Sequence, residues 1–461
     1  MTFRIQLVNA KFEFFFALVI GMVASLQGHA QVDQDVTMKT RALHENLKLI
    51  QQGNSILFGQ EFFNSFRYSS GAAHGEKDYS DSKAVTGSHP AVLGSDFHYY
   101  LEKSATERSY HTEAVKWAFQ LGYAITFDWH LSARGTSSYE FAGSPPDLAN
   151  NIVADLNGDR TWFLGELDKV ISIINNDLRV GNDTVPIVFR PFHEMNGNWF
   201  WWGSAAMSPA NYRELYALTV NYVKERAKSV LFCWSPNIPL DFNYYPGDEF
   251  VDVVGLDYYE ANATTLRTQL GSLVDFAEQH TKVAVLSETG NRVSGDNASL
   301  YWNNTILPAL LDDPAGKASK IGWLLTWINA SWSFPYVPYS SSGQVAKNSF
   351  ISFMQSPNII FGNEIPALYG KDPITAVTTE LEIYSLEIYP IPASTELTLE
   401  IHGFQHPVSV LAYDRLGKEI RLKEETSDKI IHQSLTSFNP GMYAIMVTDG
   451  HRTIRKKFIV E

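Results

Sequence analysis

The chain has 461 residues and a formal net charge of −14, with 45% hydrophobic and 19% charged residues. That balance excludes extended disorder, and the length leaves room for two globular parts. From Ile383 onward nine Lys/Arg meet ten Asp/Glu, so the acidity belongs to the first part; such a domain is a poor match for nucleic acid, while a neutral polysaccharide would not be repelled.

The N-terminus reads as an export signal. Arg4 and Lys11 precede an apolar run from Phe14, and Gly28-His29-Ala30 supplies small residues for cleavage after Ala30. The run is shorter than the roughly 20 residues a membrane span requires. Cys233 is the only cysteine and lies in an apolar run, so no intramolecular disulfide or Cys-based metal site is possible and a buried, inert thiol is expected.

Eight apolar or alternating runs then read as strands, at 55–59, 91–95, 123–129, 186–192, 230–235, 251–257, 282–287 and 321–327. Helical patterns at 112–121, 161–175, 209–228 and 266–280 separate several of them. This alternation predicts parallel βα units, and eight repeats predict an α/β fold closed as a (β/α)8 TIM barrel over residues 31–365. A doubly wound sheet is the main alternative, but no Gly-rich phosphate loop follows the first strand. Residues 366–382, with Pro366, Gly370 and Pro373, read as a linker. Short alternating runs at 396–401, 408–413, 442–448 and 453–460 predict a small β-sandwich over 383–461, with Arg455-Lys456-Lys457 as a solvated edge.

In such a barrel the polar ends of the strands form the active face. Here they are Gln60-Glu61, Asp96, Asp128-Trp129-His130, His193-Glu194, Asp257-Tyr258-Tyr259, Ser287-Glu288 and Trp327. A lone Asp at such a place more often caps a helix than serves chemistry. The densest stretch is 190–203, RPFHEMNGNWFWWG. It joins His193-Glu194 to Asn196 and to Trp199, Phe200, Trp201 and Trp202 in a turn-forming loop, which predicts aromatic rings, Trp199 and Trp202 among them, displayed to a sugar whose C–H faces stack on π-systems.

Retaining glycoside hydrolysis requires one protonated and one ionised carboxyl about 5–5.5 Å apart. Glu194 and Glu288, at the ends of the fourth and seventh runs, are the expected pair. Desolvation beside the aromatic loop suits Glu194 to acid/base work, and the hydroxyls of Ser287 and Thr289 are expected to support an ionised Glu288. Arg190 is expected on the same face, keeping a carboxylate charged. Glu61, Asp96 and Asp128 remain alternatives on the residues alone.

Residues 190–203 together with 286–290 (LSETG) resemble glycoside hydrolase family 26, mostly endo-β-mannanases. Further matches are LFG at 57–59, PAVLGSD at 90–96, Trp129-His130, DVVGLD at 252–257 with Tyr259, and WLLTW at 323–327. The resemblance implies a retaining (β/α)8 enzyme with Glu194 as acid/base and Glu288 as nucleophile, and a sugar subsite lined by His130, His193, Trp199, Tyr259 and Trp327. Many relatives carry Arg after the last of these and His after the first-strand glycine, where this chain has Ile328 and Gln60. Some members cleave mixed-linkage β-glucan or β-1,3-xylan instead of mannan. The tail, with IYPIPASTELT at 388–398, YDRLG at 413–417, PGMY at 440–443 and RKKFIV at 455–460, resembles the C-terminal sorting domains of Bacteroidetes type IX secretion. The implied partners are a β-mannan-type polysaccharide and the secretion machinery, for a secreted or cell-surface monomer. No His-Glu-x-x-His cluster occurs, and no catalytic cofactor or metal is expected.

Overall fold

The computed structural model describes residues 31–461 except 54, 69–70, 73–75, 292–299, 371–384, 403, 405–406, 415–418 and 450–452. The predicted signal at 1–30 and most of the predicted linker lie outside the described residues. The chain divides into two compact units, Met1–Pro373 and Ile374–Glu461. Among the described residues no helix is long and apolar enough to cross a membrane.

The first unit is a closed parallel barrel of eight strands: β1 (Ile56–Glu61), β2 (Val92–Asp96), β3 (Ala124–Asp128), β4 (Ile187–Arg190), β5 (Val230–Trp234), β6 (Val253–Tyr258), β7 (Val283–Thr289) and β8 (Trp323–Thr326). Each of the eight predicted runs holds one of them. Closure comes from β8 pairing β1, with Leu57 opposite Trp323 and Gln60 opposite Thr326. A two-residue strand, β9 (Ile359–Ile360), adds to β1 outside the ring.

Strand alternation sorts the apolar side chains into two layers. Leu57, Val92, Ala124, Val188, Leu231, Val253, Val285 and Leu325 share an inner cluster with Leu43, Leu47 and Ile50 of helix α1 (Met38–Gln52), which plugs the N-terminal end of the barrel. Cys233 is in this layer, fully buried, and burial pushes its thiol up. Ile56, Phe58, Ile125, Phe127, Ile187 and Phe189 belong instead to the outer core beneath the surrounding helices. The predicted helices are present with earlier starts where a cap sets the boundary. Ser104 caps Ala105–Gln120 with Glu107 in a reciprocal box, ahead of the predicted start at 112. The predicted linker start at Pro366 is not a break in packing: Leu368 is buried in the inner cluster, its carbonyl accepts from Asn46 at 3.0 Å, and the Tyr369 hydroxyl donates to the Tyr123 carbonyl.

The second unit is all-β, with antiparallel strands β10 (Ser385–Tyr389), β11 (Glu396–His402), β12 (Val408–Asp414), β13 (Glu419–Thr426), β14 (Ile430–Ser434), β15 (Gly441–Thr448) and β16 (Thr453–Val460). They form a three-stranded sheet, β10-β11-β14, and a four-stranded one, β13-β12-β15-β16. Leu397, Leu399, Val410, Ala412, Ile445 and Val447 from the two sheets share one core. The three strands not predicted, β10, β13 and β14, are all at sheet edges. β13, reading EIRLKEET, has no fully buried residue, so its pattern lacks the apolar alternation that marks the inner strands.

Candidate active site

The C-terminal end of the barrel is built around one buried cation. Arg190, the last residue of β4, is 3% exposed and donates to Asp257 Oδ2 at 2.7 Å, Glu288 Oε2 at 2.6 Å, Asp128 Oδ2 at 3.3 Å and the Ser235 hydroxyl at 3.2 Å. Burial works against its charge, but Asp257, Glu288 and Asp128 together hold it charged well above the ordinary guanidinium range. Taking away one partner of such a buried ion pair typically costs about 3–5 kcal/mol, because the other charge is left uncompensated.

Glu288 reaches this cation through an irregularity in β7. Leu286 faces Leu256 and Glu288 faces Asp257, so Ser287 is an extra residue in the ladder. A bulge re-aims side chains. Ser287 consequently donates to Asp257 Oδ1 at 2.7 Å rather than to Glu288, and Thr289 donates to the Tyr258 carbonyl. The second Glu288 oxygen accepts from the Tyr259 hydroxyl at 2.5 Å. Burial, then the charge of Glu288, keep that phenol protonated, well above its usual range.

Glu194 stands on a different kind of support. Beyond Arg190 the backbone turns through Phe192 and Glu194 with φ of 52° and 53°, a left-handed conformation that is strained for both residue types. Neighbours pin the turn: the Glu194 amide donates to the Ser235 carbonyl, the Tyr212 hydroxyl to that of Phe192, and the Trp202 indole to that of His193. The Glu194 carboxyl accepts from the Trp199 indole at 2.7 Å and from the Asn237 amide at 2.8 Å. Asn196 holds Asn237, accepting its backbone N–H at 2.9 Å and donating to its carbonyl at 2.7 Å. Gly197 is required here, since a Cβ would run into the Trp199 ring. Burial pushes the Glu194 carboxyl up to about 7, with the Glu288 charge adding to it, against the opposing bonds from Trp199 and Asn237 and the Arg190 charge.

The remaining rim comes from β2, β3 and β8. Asp96 accepts from His130 Nδ1 at 2.9 Å and caps the next helix through the His98 N–H. His193 packs edge-on to His130 at 4.7 Å, and burial, then the Arg190 charge, hold it neutral. Trp327 lies 6.0 Å from the His130 ring. Asp128 Oδ1 and His193 Nδ1 are buried without a protein partner among the described residues, so two polar atoms await hydroxyls or water. Ligand atoms of Asp128, His130 and His193 come within 4.8 Å of one another, but Asp128 is already paired with Arg190, whose charge would repel a metal ion. Glu61, buried under this rim, is pushed well above the usual carboxylate range by burial and by Asp96.

Of the predicted site residues, the structure brings together Arg190, Glu194, Glu288, Tyr259, Trp199, His193, His130 and Trp327, with Asn196 one contact behind. Trp202 is corrected. It is fully buried, stacked on Phe200 at 4.5 Å and bonded to the His193 carbonyl, so it supports the turn from below and offers no face to a ligand. Trp201 is likewise buried, on the Leu131 carbonyl; of the two rings predicted for display, only Trp199 is exposed, at 40%. The helix-capping expectation holds for Asp96, but Asp128 and Asp257 anchor Arg190 instead. Asn237 was not among the predicted residues; only its position just past β5 pointed to it.

Residues 32–299 match the model of Glycosyl hydrolase family 26, and residues 387–461 match that of the Secretion system C-terminal sorting domain. A mannan endo-1,4-beta-mannosidase of Bifidobacterium adolescentis is 27% identical, covering 75% of this chain and 37% of its own length. One from Thermothelomyces thermophilus is 26% identical, covering 64% of this chain and 58% of its own length. The chain thus spans well under two thirds of these curated relatives. Among solved structures, GH26C from a Muricauda species superposes with a TM-score of 0.66 at 29% identity, covering 74% of this chain and 96% of that one. A GH26 beta-mannanase from Bacteroides ovatus gives 0.65 at 26%, covering 72% and 98%.

Proposed function

Since the chain belongs to glycosyl hydrolase family 26, we propose that it is a retaining endo-β-1,4-mannanase, with Glu194 and Glu288 as its working carboxylates. The observation that carries the reading is their contrast: Glu194 pushed up to about 7 by burial, Glu288 bonded to a guanidinium. A protonated acid and an ionised nucleophile are what double displacement consumes.

In the first step a Glu288 oxygen attacks the anomeric carbon. The bond to the leaving sugar breaks, and Glu194 delivers its proton to the departing oxygen. Arg190 and Tyr259 orient the attacking carboxylate. In the second step Glu194, now ionised, takes a proton from water, whose oxygen displaces Glu288 and restores the configuration. Trp327 provides a stacking floor, Trp199 a flank, and His130 and His193 hydrogen bonds to the sugar under attack. The substrate assignment follows the relatives, which are named for mannan. The sorting domain directs the chain to the cell surface or beyond, where polymeric mannan is met; it acts there as a monomer.

The test is kcat/KM on mannan, glucomannan and galactomannan beside mixed-linkage β-glucan and β-1,3-xylan. The expected result is a clear preference for the mannans, with internal cleavage seen as an early fall in viscosity. Negligible mannan hydrolysis alongside activity on either other polymer overturns the substrate; no activity on any of them overturns the catalytic reading.

A further inference from the structure

Trp332 is out of keeping with the rest of the barrel unit. It is 62% exposed, although the chain's other tryptophans near the site are buried or already engaged. It stands on the loop after β8, five residues beyond Trp327, and that loop is built to hold still. Asn329, 2% exposed, donates to Asp81 Oδ2 at 2.9 Å and to the Val337 carbonyl at 3.0 Å, and its own oxygen accepts from the N–H groups of Tyr336 and Val337. Ile328 and Ala330 are buried against Phe62 and Phe66. The Trp332 ring meets Phe66 edge-on at 6.0 Å.

An apolar track leads from this ring to the site. Phe66 contacts Tyr99 at 5.6 Å, Tyr99 contacts His98, and the His98 ring bonds the His130 carbonyl at 3.2 Å; Trp327 packs on the same Phe62–Phe66 cluster. The direction of the track follows from the barrel. Glu194 and its partner Asn237 belong to the β4 and β5 ends, so the sugar that leaves on protonation lies on that side. In the ring order β8 and β1 are opposite. The chain on the other side of the cleaved bond must extend over them, toward Trp332.

We propose that Trp332 is a distal stacking platform for the glycone portion of a β-linked polysaccharide, beyond the ring under attack. The proposal rests on the glycosidase reading above and adds where the retained part of the chain is gripped. A rigid aromatic face suits such a role because ordering it costs little entropy and its stacking tolerates different equatorial hydroxyl patterns.

The experiment compares wild type, Trp332→Ala and Trp332→Phe on mannohexaose, on mannan and on an aryl β-mannobioside that ends before the platform. With Trp332→Ala, kcat/KM on the long substrates should fall roughly three- to tenfold, mostly through KM, the factor that an aromatic stack corresponds to. The short glycoside should be unaffected and Trp332→Phe should restore part of the loss. Equal loss on short and long substrates, or none on either, overturns the platform. Electrophoresis of the Glu288→Ala variant through gels containing mannan or mixed-linkage β-glucan separates the two readings. If wild type cleaves no mannan yet Trp332→Ala abolishes retardation in a β-glycan gel, the substrate assignment fails and the platform stands; unchanged retardation in both gels removes the platform.

Discussion

Glu194 sits on a strained turn and takes its hydrogen bonds from neutral donors, the Trp199 indole and the Asn237 amide, whereas Glu288 lies in a bulged strand and takes its own from a guanidinium and a phenol. Both are buried, at 8% and 6% exposure, so burial alone does not tell them apart. The difference is in the charge of the donor. A full positive charge compensates the desolvation of Glu288; neutral N–H groups compensate that of Glu194 only in part, and its carboxyl rises to about 7. One residue type is thus set to two tasks by which strand end it occupies.

The contrast breaks most completely at Glu288. In Glu288→Ala the nucleophile is gone, and kcat on mannan should drop by at least roughly a thousandfold, as when a covalent catalyst is removed; retention of more than a tenth of the activity would mean another carboxylate attacks. Glu194→Ala should be selective where Glu288→Ala is not. Turnover of mannan should fall by about 10²–10⁴, the range for loss of a general acid. An aryl mannoside whose leaving group needs no proton should form the glycosyl-enzyme almost normally, and added azide should restore turnover by attacking it. If azide rescues Glu288→Ala by the same retaining route instead, the roles are reversed.

The smallest change sharpens the comparison. Trp199→Phe keeps a ring but deletes the N–H that favours ionised Glu194, so the carboxyl should rise further. Glu194 must carry its proton to act as acid, and kcat/KM therefore falls as pH rises through about 7 in the wild type. In the variant this alkaline limb should move to higher pH, by under about one unit, the size of one neutral hydrogen bond. A pH–rate profile reads it; a limb displaced to lower pH would show that Trp199 acts on Glu194 in some other way.

How much of this was legible depended on how far apart in the chain the partners lie. Each barrel strand announces itself by a local apolar run ending in polar residues, and the two glutamates stand out because each follows such a run. Arg190 could be placed on the right face from its position in β4, but not assigned its partners, which lie 62, 67 and 98 residues away. Trp199 and Trp202 are three residues apart in one loop, and nothing local says that one stacks under the turn while the other covers Glu194. Ser287 is invisible as a bulge, because an extra residue is defined only against the neighbouring strand. Asn237 contacts Glu194 across 43 residues and carries no sequence signal beyond its place after β5. In the tail, the edge strands were missed because solvent lies on too much of their surface for alternation to survive.

The pairing that closes the barrel joins Leu57 to Trp323, while α1, near the start of the described chain, donates the Gln51 side-chain oxygen as acceptor for the Ala284 N–H. Contacts of such long range must wait for loop closure and make folding slow. A chain emerging from the ribosome, or threading outward before Trp323 has arrived, has both glutamates but no ring to hold them face to face. The activity is thus assembled late and all at once, and it is acquired only by a molecule whose barrel has closed.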